Sequence, residues 1–314
     1  MNFTKGEVIA INKPLGMTSF CALAIVRKRI CVRLGVKKLK IGHAGTLDPL
    51  ATGVLVLCTG KFTKRIEEFQ MHGKEYTATI QLGATTPSYD MEHPVNATYP
   101  TDGITRERIE EVLKQFVGDI EQVPPTFSAC KVGGQRSYDL RRKGKDVELQ
   151  PKQIHIDEIE LTAFDPETMQ MSVRVVCGKG TYIRALARDI GRALDSGGYL
   201  TALCRTRSGE QRVENCIELD GFEEWLANQT IETNEDECVV LAEVVEHIAK
   251  IEVFARDRVA FVIFLVHLDG LRLLVQHHQS ALVATCDAEG FLLAVVVFKL
   301  AINAMRIKSD QLFG

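Results

Sequence analysis

A chain of 314 residues, with 46% hydrophobic and 25% charged residues, has the composition of a globular protein with a substantial core, which excludes a disordered or fibrous chain. Its longest apolar runs, 260–266 and 291–298, are far shorter than the roughly 20 residues of a membrane-spanning helix, and its start lacks the basic and apolar regions of a secretory signal. The net charge of −3 conceals twelve lysines and arginines against two acids in residues 1–65, which predicts either a positive face for a polyanion or well-solvated helix faces.

The nine cysteines are dispersed along the chain, and no two of them form a C-x-x-C pair. Disulfide scaffolds and structural zinc sites need clustered thiols, so neither is expected. Scattered free cysteines are typical of a reducing compartment. We therefore expect a cytoplasmic protein that has no membrane segment and needs no metal.

The first part of the chain predicts strands that alternate with a helix. Residues 8–12 indicate a short strand that ends in a Lys-Pro-Leu-Gly turn, and Ser19 is a candidate cap for a helix that runs to about Leu34. Residues 54–58 form a continuous apolar run of buried-strand length. Residues 76–82 alternate between apolar and polar, as a half-buried strand does.

The middle of the chain continues this pattern. Residues 85–100 are rich in turn-forming residues and predict a loop, after which Thr105 is a candidate helix cap. Residues 169–175 alternate again, and the turn 178–180 leads into a helix with apolar residues at helical spacing. Because the strands are mostly amphipathic, an α+β fold with a mixed, largely antiparallel sheet is favoured over a doubly wound sheet.

A change in composition near residues 232–237 predicts a domain boundary. We expect a main domain over residues 1–235 and a small domain over residues 250–314. Short apolar runs separated by turns in the second region predict a β-rich appendage.

The densest chemical signal is the segment Gly42–Leu55, which has the sequence GHAGTLDPLATGVL. Its glycines allow positive φ or a close approach of the backbone to a ligand, and Pro49 biases Asp48 away from the helical region. A carboxylate held rigidly before a buried strand suits a positioned nucleophile. From the residues alone, an aspartate that merely caps a turn is the alternative.

This segment resembles the catalytic motif of the TruB-type pseudouridine synthases, G-H-x-G-x-L-D-P, in which the aspartate is essential. Further matches occur in that family's order, and together they cover roughly residues 5–215. The matching segments are Asn12–Ser19, Lys74–Tyr76, Pro124–Lys131 with Tyr138 after it, Gly178–Arg184 and Leu200–Thr206.

The resemblance implies that the protein converts a uridine of RNA to pseudouridine without any cofactor. Asp48 would act on a uridine that has left its stack and entered a pocket. Tyr76 would stack on the base near the proton removed from C5, and Arg184 would pair with Asp48 and keep it ionised. From the residues alone, Tyr76 and Arg184 would be a core aromatic and a surface cation.

The resemblance also implies a set of RNA contacts. His43 would fill the space around the flipped nucleotides, whereas Asp90 and Leu203 would line the pocket. The loop 85–100 and the segment 131–145 would grip the RNA. Three lysines are expected to contact phosphates: Lys64, Lys131 and Lys179.

The residues 50–53 that follow the Asp-Pro pair resemble the stand-alone bacterial branch of the family. That branch implies the T-loop uridine at tRNA position 55 as the target, the T-arm as the partner, and a monomer. Two alternatives stay open: a tRNA-binding folding chaperone in which Asp48 is dispensable, and a guide-RNA-dependent pseudouridine synthase. The end of the chain resembles a small PUA-type RNA-binding domain, with a divergent appendage as the alternative.

Overall fold

The structure is a computed structural model, in which the chain divides into two compact units, Met1–Glu232 and Thr233–Gly314. It describes residues 1–127, 131–132, 135–136, 149–232, 267–268, 271–274 and 283–285. For the short stretches at 131–136 and beyond residue 232 the description covers secondary structure only.

The first unit contains fourteen described strands and five described α-helices. The strands are β1 (Val8–Lys13), β2 (Ile41–His43), β3 (Ala51–Thr59), β4 (Lys74–Leu82), β5 (Ala84–Thr85), β6 (Ala97–Thr98), β7 (Gly118–Gln122), β8 (Lys131–Val132), β9 (Gln135–Arg136), β10 (Lys152–Asp165), β11 (Gln170–Cys177), β12 (Gly198–Ser208), β13 (Gln211–Arg212) and β14 (Ile217–Glu218). The helices are α1 (Ser19–Leu34), α2 (Ile66–Met71), α3 (Arg106–Leu113), α4 (Ile183–Ala193) and α5 (Phe222–Ala227).

Ten of these strands form one mixed sheet. Its main path has the order β14-β1-β3-β12-β4-β11-β10-β7, with β2 paired to β3 and β13 paired to β12. Among the described pairs of this sheet only β1–β14 and β3–β12 are parallel. The predicted α+β fold with a mixed, largely antiparallel sheet is therefore confirmed.

The continuous apolar run of β3 is explained by the cover on both of its faces. Leu55 and Leu57 belong to a core cluster that includes residues of α1 and α5. Val54 and Val56 point the other way and pack with Ala44 and with side chains of α2. A strand that is buried on both faces loses the polar alternation that a half-exposed strand shows.

The N-terminal cap of helix α1 is Thr18, one residue before the predicted cap Ser19. The Thr18 hydroxyl accepts a hydrogen bond from the Cys21 amide at 3.0 Å. Ser19 is the first helical residue, and its side chain is used elsewhere, as described below. Thr105 caps α3 as predicted and accepts from the Arg108 amide at 3.3 Å.

The strands β10 and β12 had no counterpart in the sequence prediction, although β12 lies in the middle of the sheet. It places Arg205 directly between Gly53 of β3 and Tyr76 of β4. Gly53 has a φ of +99°, and a Cβ atom added there would lie 2.2 Å from the Arg205 carbonyl oxygen. The backbones of β3 and β12 can approach so closely only because this residue is glycine.

We expect Gly53→Ala to destabilise the fold by about 3 kcal/mol or more, since it combines a left-handed backbone with a backbone clash. Gly16→Ala is the matched control, because Gly16 also has a positive φ, +76°, but no atom lies within 4 Å of the added Cβ. Backbone strain alone should cost about 1 kcal/mol there. Urea unfolding of the two variants measures the difference, and equal losses would contradict the clash.

In the second unit the structure describes three short antiparallel strands, β15 (His267–Leu268), β16 (Leu271–Leu274) and β17 (Val283–Thr285). Most of the predicted PUA-like region, and all but the first residue of the predicted boundary at 232–237, lie outside the described residues. The domain limits 1–235 and 250–314 therefore stay predictions. Within the part of the chain that is described, no helix is both long and apolar enough to cross a membrane.

Candidate active site

Asp48 lies in the loop between β2 and β3, and the turn before α1 anchors this loop. The Ser19 hydroxyl accepts from the Leu47 amide at 2.8 Å and donates to the Leu47 carbonyl at 3.0 Å. The Gly16 amide donates to the Pro49 carbonyl at 2.9 Å. Hydrogen bonds thus fix both chain neighbours of Asp48, Leu47 and Pro49. The family-matching segment Asn12–Ser19, which supplies these bonds, therefore holds the loop that carries the carboxylate.

Lys13 belongs to the same support. Its side chain is fully buried, and its ammonium donates to the carbonyls of Pro14 at 2.8 Å, Met17 at 2.6 Å and Pro49 at 3.4 Å. Burial lowers the pKa of Lys13 to about 8, an effect that the nearby Asp48 carboxylate opposes. Its three backbone acceptors give this lysine a structural role that the sequence analysis did not assign.

Arg184 holds Asp48 from the beginning of α4. Its Nε lies 2.9 Å from Asp48 Oδ2, and its Nη1 lies 3.5 Å from Asp90 Oδ2. The guanidinium also donates to the carbonyls of Ser88 at 3.1 Å and Phe127 at 3.0 Å. The Arg184 side chain is only 5% exposed, whereas that of Asp48 is 40% exposed. A buried cation with several partners therefore orients a carboxylate that solvent or substrate can reach.

A cavity of about 320 Å³ opens beside this ion pair, a size typical of sites for small ligands. Its wall carries one carboxylate, that of Asp48, and four cationic side chains, those of Lys74, Lys179, Arg184 and Arg205. This surplus of positive charge favours an anionic ligand. Tyr76 and Leu203, both predicted as site residues, lie on the same wall.

A second cavity of about 270 Å³ shares Asp48, Ala51, Arg184 and Leu203 with the first one. It contains Asp90, which the resemblance placed in the pocket. The Asp48–Arg184 pair therefore lies where the two cavities meet. Asp90 is 8% exposed and accepts a hydrogen bond from the Glu92 amide at 3.0 Å in addition to its contact with Arg184.

Tyr76 belongs both to the hydrophobic core and to the cavity wall. It is 8% exposed, and it packs in the cluster that includes residues of α3 and α4. Burial raises the pKa of the Tyr76 phenol, while its interaction with the Arg205 guanidinium lowers that pKa. Tyr76 is therefore both a core aromatic and a residue of the site, so the two interpretations from the sequence are compatible.

Of the other predicted RNA contacts, Lys179 lies on the wall of the first cavity, whereas His43 and Lys64 line neither cavity. His43 ends β2, and its buried Nδ1 has no hydrogen-bond partner among the described residues. Burial lowers the pKa of His43. Lys64 is exposed in a 3-10 turn, Gly60–Arg65. Lys131 begins β8, where side chains are not described, and most of the segment 131–145 is outside the described residues.

Lys74 and Arg205 are site residues to which sequence reasoning gave no role. Lys74 stands two residues before Tyr76 on β4, so the alternation of the strand places both side chains on one face. Its ammonium donates to the carbonyls of His72 at 2.5 Å and Gln70, and burial lowers its pKa to about 8. The strand of Arg205 was not predicted, so its only signal was its place in the family-matching segment Leu200–Thr206.

Two family models match adjoining parts of the chain. Residues 31–183 match the model described as TruB family pseudouridylate synthase (N terminal domain), and residues 184–250 match the model described as tRNA pseudouridylate synthase B C-terminal domain. The tRNA pseudouridine synthase B of Bacteroides thetaiotaomicron is 64% identical over 75% of this chain and 99% of its own length. That of Flavobacterium johnsoniae is 48% identical over 71% of this chain and 97% of its own length.

A solved structure with a similar fold is a Cbf5-Nop10-Gar1 complex, with 28% sequence identity and a TM-score of 0.53. The match covers 72% of this chain and 56% of the matched chain, so the present protein spans about half of that chain's length. Identity above 60% to relatives that are matched over nearly their full length is decisive for the family. The chain belongs to the TruB family of pseudouridylate synthases.

Proposed function

We propose that the protein isomerises a uridine of tRNA to pseudouridine, at position 55 in the T loop, with Asp48 as the catalytic carboxylate and without a cofactor. One observation carries the proposal: a buried guanidinium holds a half-exposed Asp48 on the wall of a cavity rich in cations. The names of the similar proteins support tRNA as the substrate.

The cavity suits a nucleotide that has been turned out of its loop. Removal of a base from its stack costs a few kcal/mol, which contacts in the pocket must offset. Tyr76 offers an aromatic ring and Leu203 an aliphatic surface to the base, while the surrounding cations attract the phosphates.

The reaction breaks the bond between C1′ of the ribose and N1 of uracil and forms a bond from C1′ to C5. The proton on C5 leaves and N1 gains one, so that no oxidant, reductant or other substrate is consumed. Asp48 is the group that promotes the cleavage, by attack on C1′, by attack on C6 or by removal of a sugar proton. Arg184 keeps the carboxylate oriented throughout.

The proposal is tested with an unmodified tRNA transcript that carries tritium at C5 of its uridines, incubated with the purified protein and no cofactor. We expect release of about one equivalent of tritium per tRNA, since one position reacts, and sequencing should place the product at position 55. Release without other proteins or guide RNAs would exclude a guided enzyme. Tight binding without any release would overturn the proposal and favour the folding chaperone.

Residues 27–40 offer a surface that can bind the RNA outside the cavity. Exposed cations in this stretch form no ion pair with a described carboxylate; they are Arg27, Lys28, Arg33, Lys37, Lys38 and Lys40. Ser19 ties the start of α1 to the Asp48 loop, so Arg27, Lys28 and Arg33 lie along a helix of about 24 Å that begins beside the site, and the other three lysines follow the end of that helix. We infer that they contact tRNA phosphates.

The double change Arg27→Gln/Arg33→Gln is expected to weaken tRNA binding about tenfold at low salt and to reduce the salt slope of log K by about 1.5, as two lost phosphate contacts would. The control is Arg106→Gln/Arg108→Gln, which removes the same charge from α3, where both arginines pair with glutamates. Filter binding at several salt concentrations gives both numbers. Equal effects of the two changes would show that net charge alone matters.

The predicted monomer and the cytoplasmic location stay predictions. Light scattering of the purified protein with and without tRNA measures the oligomeric state. We expect the mass of one chain in the free state, and a stable dimer would contradict the prediction.

A further inference from the structure

Arg205 is the largest fully buried side chain among the described residues, with 1% of its surface exposed. It lies at the centre of the sheet, opposite Tyr76 on β4 and opposite Gly53 on β3. Residues that are directly opposite in neighbouring strands carry their side chains on the same face. The guanidinium therefore shares the face of Tyr76 and, like Tyr76, lies on the wall of the larger cavity.

The Arg205 side chain is fixed by backbone contacts on two sides. Its Nε donates to the Val54 carbonyl at 2.7 Å, and its Nη2 donates to the Gly45 carbonyl at 3.1 Å. Gly45 lies in the loop that carries Asp48 and has a φ of +111°. Tyr76 is its direct cross-strand neighbour, and the interaction with the Arg205 guanidinium lowers the pKa of the Tyr76 phenol. One side chain thus links the Asp48 loop, the strand that follows it, and Tyr76.

The charge of Arg205 is not neutralised by an acid. No carboxylate among the described residues forms an ion pair with it, although Arg184, Arg188 and Arg174 all have such partners. A buried charge without a counter-charge costs several kcal/mol relative to an apolar residue of similar volume.

The chemistry of the guanidinium also fixes the direction of the Tyr76 hydroxyl. Arginine has only donors, so in its interaction with Arg205 the Tyr76 oxygen can act only as an acceptor. The hydroxyl hydrogen then points away from Arg205. Since Tyr76 lies on the cavity wall, that hydrogen can be donated to a nucleobase bound in the cavity.

We propose that Arg205 is a positioning residue of this active site, which orients the Tyr76 hydroxyl towards the bound base and ties it to the Asp48 loop through Gly45. The inference rests on the proposed function, and it adds a residue that acts through Tyr76. It separates Arg205 from Arg184, which acts on Asp48 directly.

The test is a double-mutant cycle between Arg205→Lys and Tyr76→Phe, measured as single-turnover tritium release from tRNA. We expect Arg205→Lys to slow the bound reaction about a hundredfold, while tRNA affinity stays within about threefold. In the Tyr76→Phe background the same change should have less than about a threefold effect, because the oxygen that Arg205 orients is gone. Arg207→Lys on the same strand is the control and should stay within about twofold of wild type.

Three results would overturn the proposal. They are an unchanged rate in Arg205→Lys, a full effect of Arg205→Lys in the Tyr76→Phe background, and a loss that appears in tRNA affinity instead of in the rate. If Arg205→Lys does not unfold cooperatively in urea, the double-mutant cycle is repeated with Arg205→Gln. Glutamine keeps hydrogen-bond donors but removes the charge.

A second measurement needs no arginine variant and no catalytic activity. In ¹⁵N NMR spectra we expect the Arg205 guanidinium protons to exchange slowly with solvent in the wild type and at least about tenfold faster in Tyr76→Phe, since one of their acceptors is lost. Unchanged exchange would overturn the contact, and with it the proposal. Failure of the proposed function would show separately, as absence of tritium release by the wild type.

Discussion

Replacement of Asp48 by asparagine is expected to reduce tritium release from tRNA more than about a thousandfold, as removal of a catalytic carboxylate does in other enzymes. The amide keeps the size of the side chain, and the loop around it is held by Ser19, Gly16 and Lys13 through contacts that do not involve the carboxylate. The fold and the affinity for tRNA should therefore remain. Single-turnover release and filter binding measure the two properties separately.

Asp102→Asn is the matched control, because this aspartate is exposed at a turn and lines neither cavity. It should keep the wild-type rate. If Asp48→Asn modified tRNA at a rate near that of the wild type, Asp48 could not be the catalytic carboxylate. If it lost tRNA binding instead, the residue would have to be assigned to recognition.

The second large effect is expected at Arg184, where stability and activity should fall together. Arg184→Met leaves Asp90, with 8% of its side chain exposed, as a buried carboxylate without its cation. Breaking a buried pair in this way typically costs about 3–5 kcal/mol. The carbonyls of Ser88 and Phe127 lose their donor as well. Activity should fall more than about a hundredfold, since Asp48 is no longer oriented.

Arg184→Lys separates the two effects. Lysine keeps the charge but cannot reproduce the planar fork that reaches two carboxylates and two carbonyls. We expect it to recover part of the free energy of unfolding and little of the activity. The control is Arg192→Lys on the same helix, whose side chain is 68% exposed. Urea unfolding measures stability and tritium release measures activity. If Arg184→Met were as stable and as active as the control, the expected role of Arg184 would be wrong.

The candidate site was predictable where its signal is local in the sequence. The segment Gly42–Leu55 carries its own evidence, because glycines, a proline and an acid stand before an apolar strand. Strands β1, β3, β4 and β11 and helices α1, α3 and α4 were indicated by their periodicity. The roles of Tyr76 and Arg184 followed only from the family resemblance, since either residue alone would suit an ordinary core or surface position.

What the sequence by itself determined is therefore the family, the α+β class and the aspartate loop. Only the tertiary structure decided which distant residues support that loop: Lys13 beneath Pro49, Asp90 on the far side of Arg184, and Arg205 beside Tyr76. The physical reason lies in the sheet, whose strands β3, β12 and β4 are neighbours in space but far apart in the chain. Local periodicity specifies which residues of a strand face inward, but the register between strands specifies which of them meet.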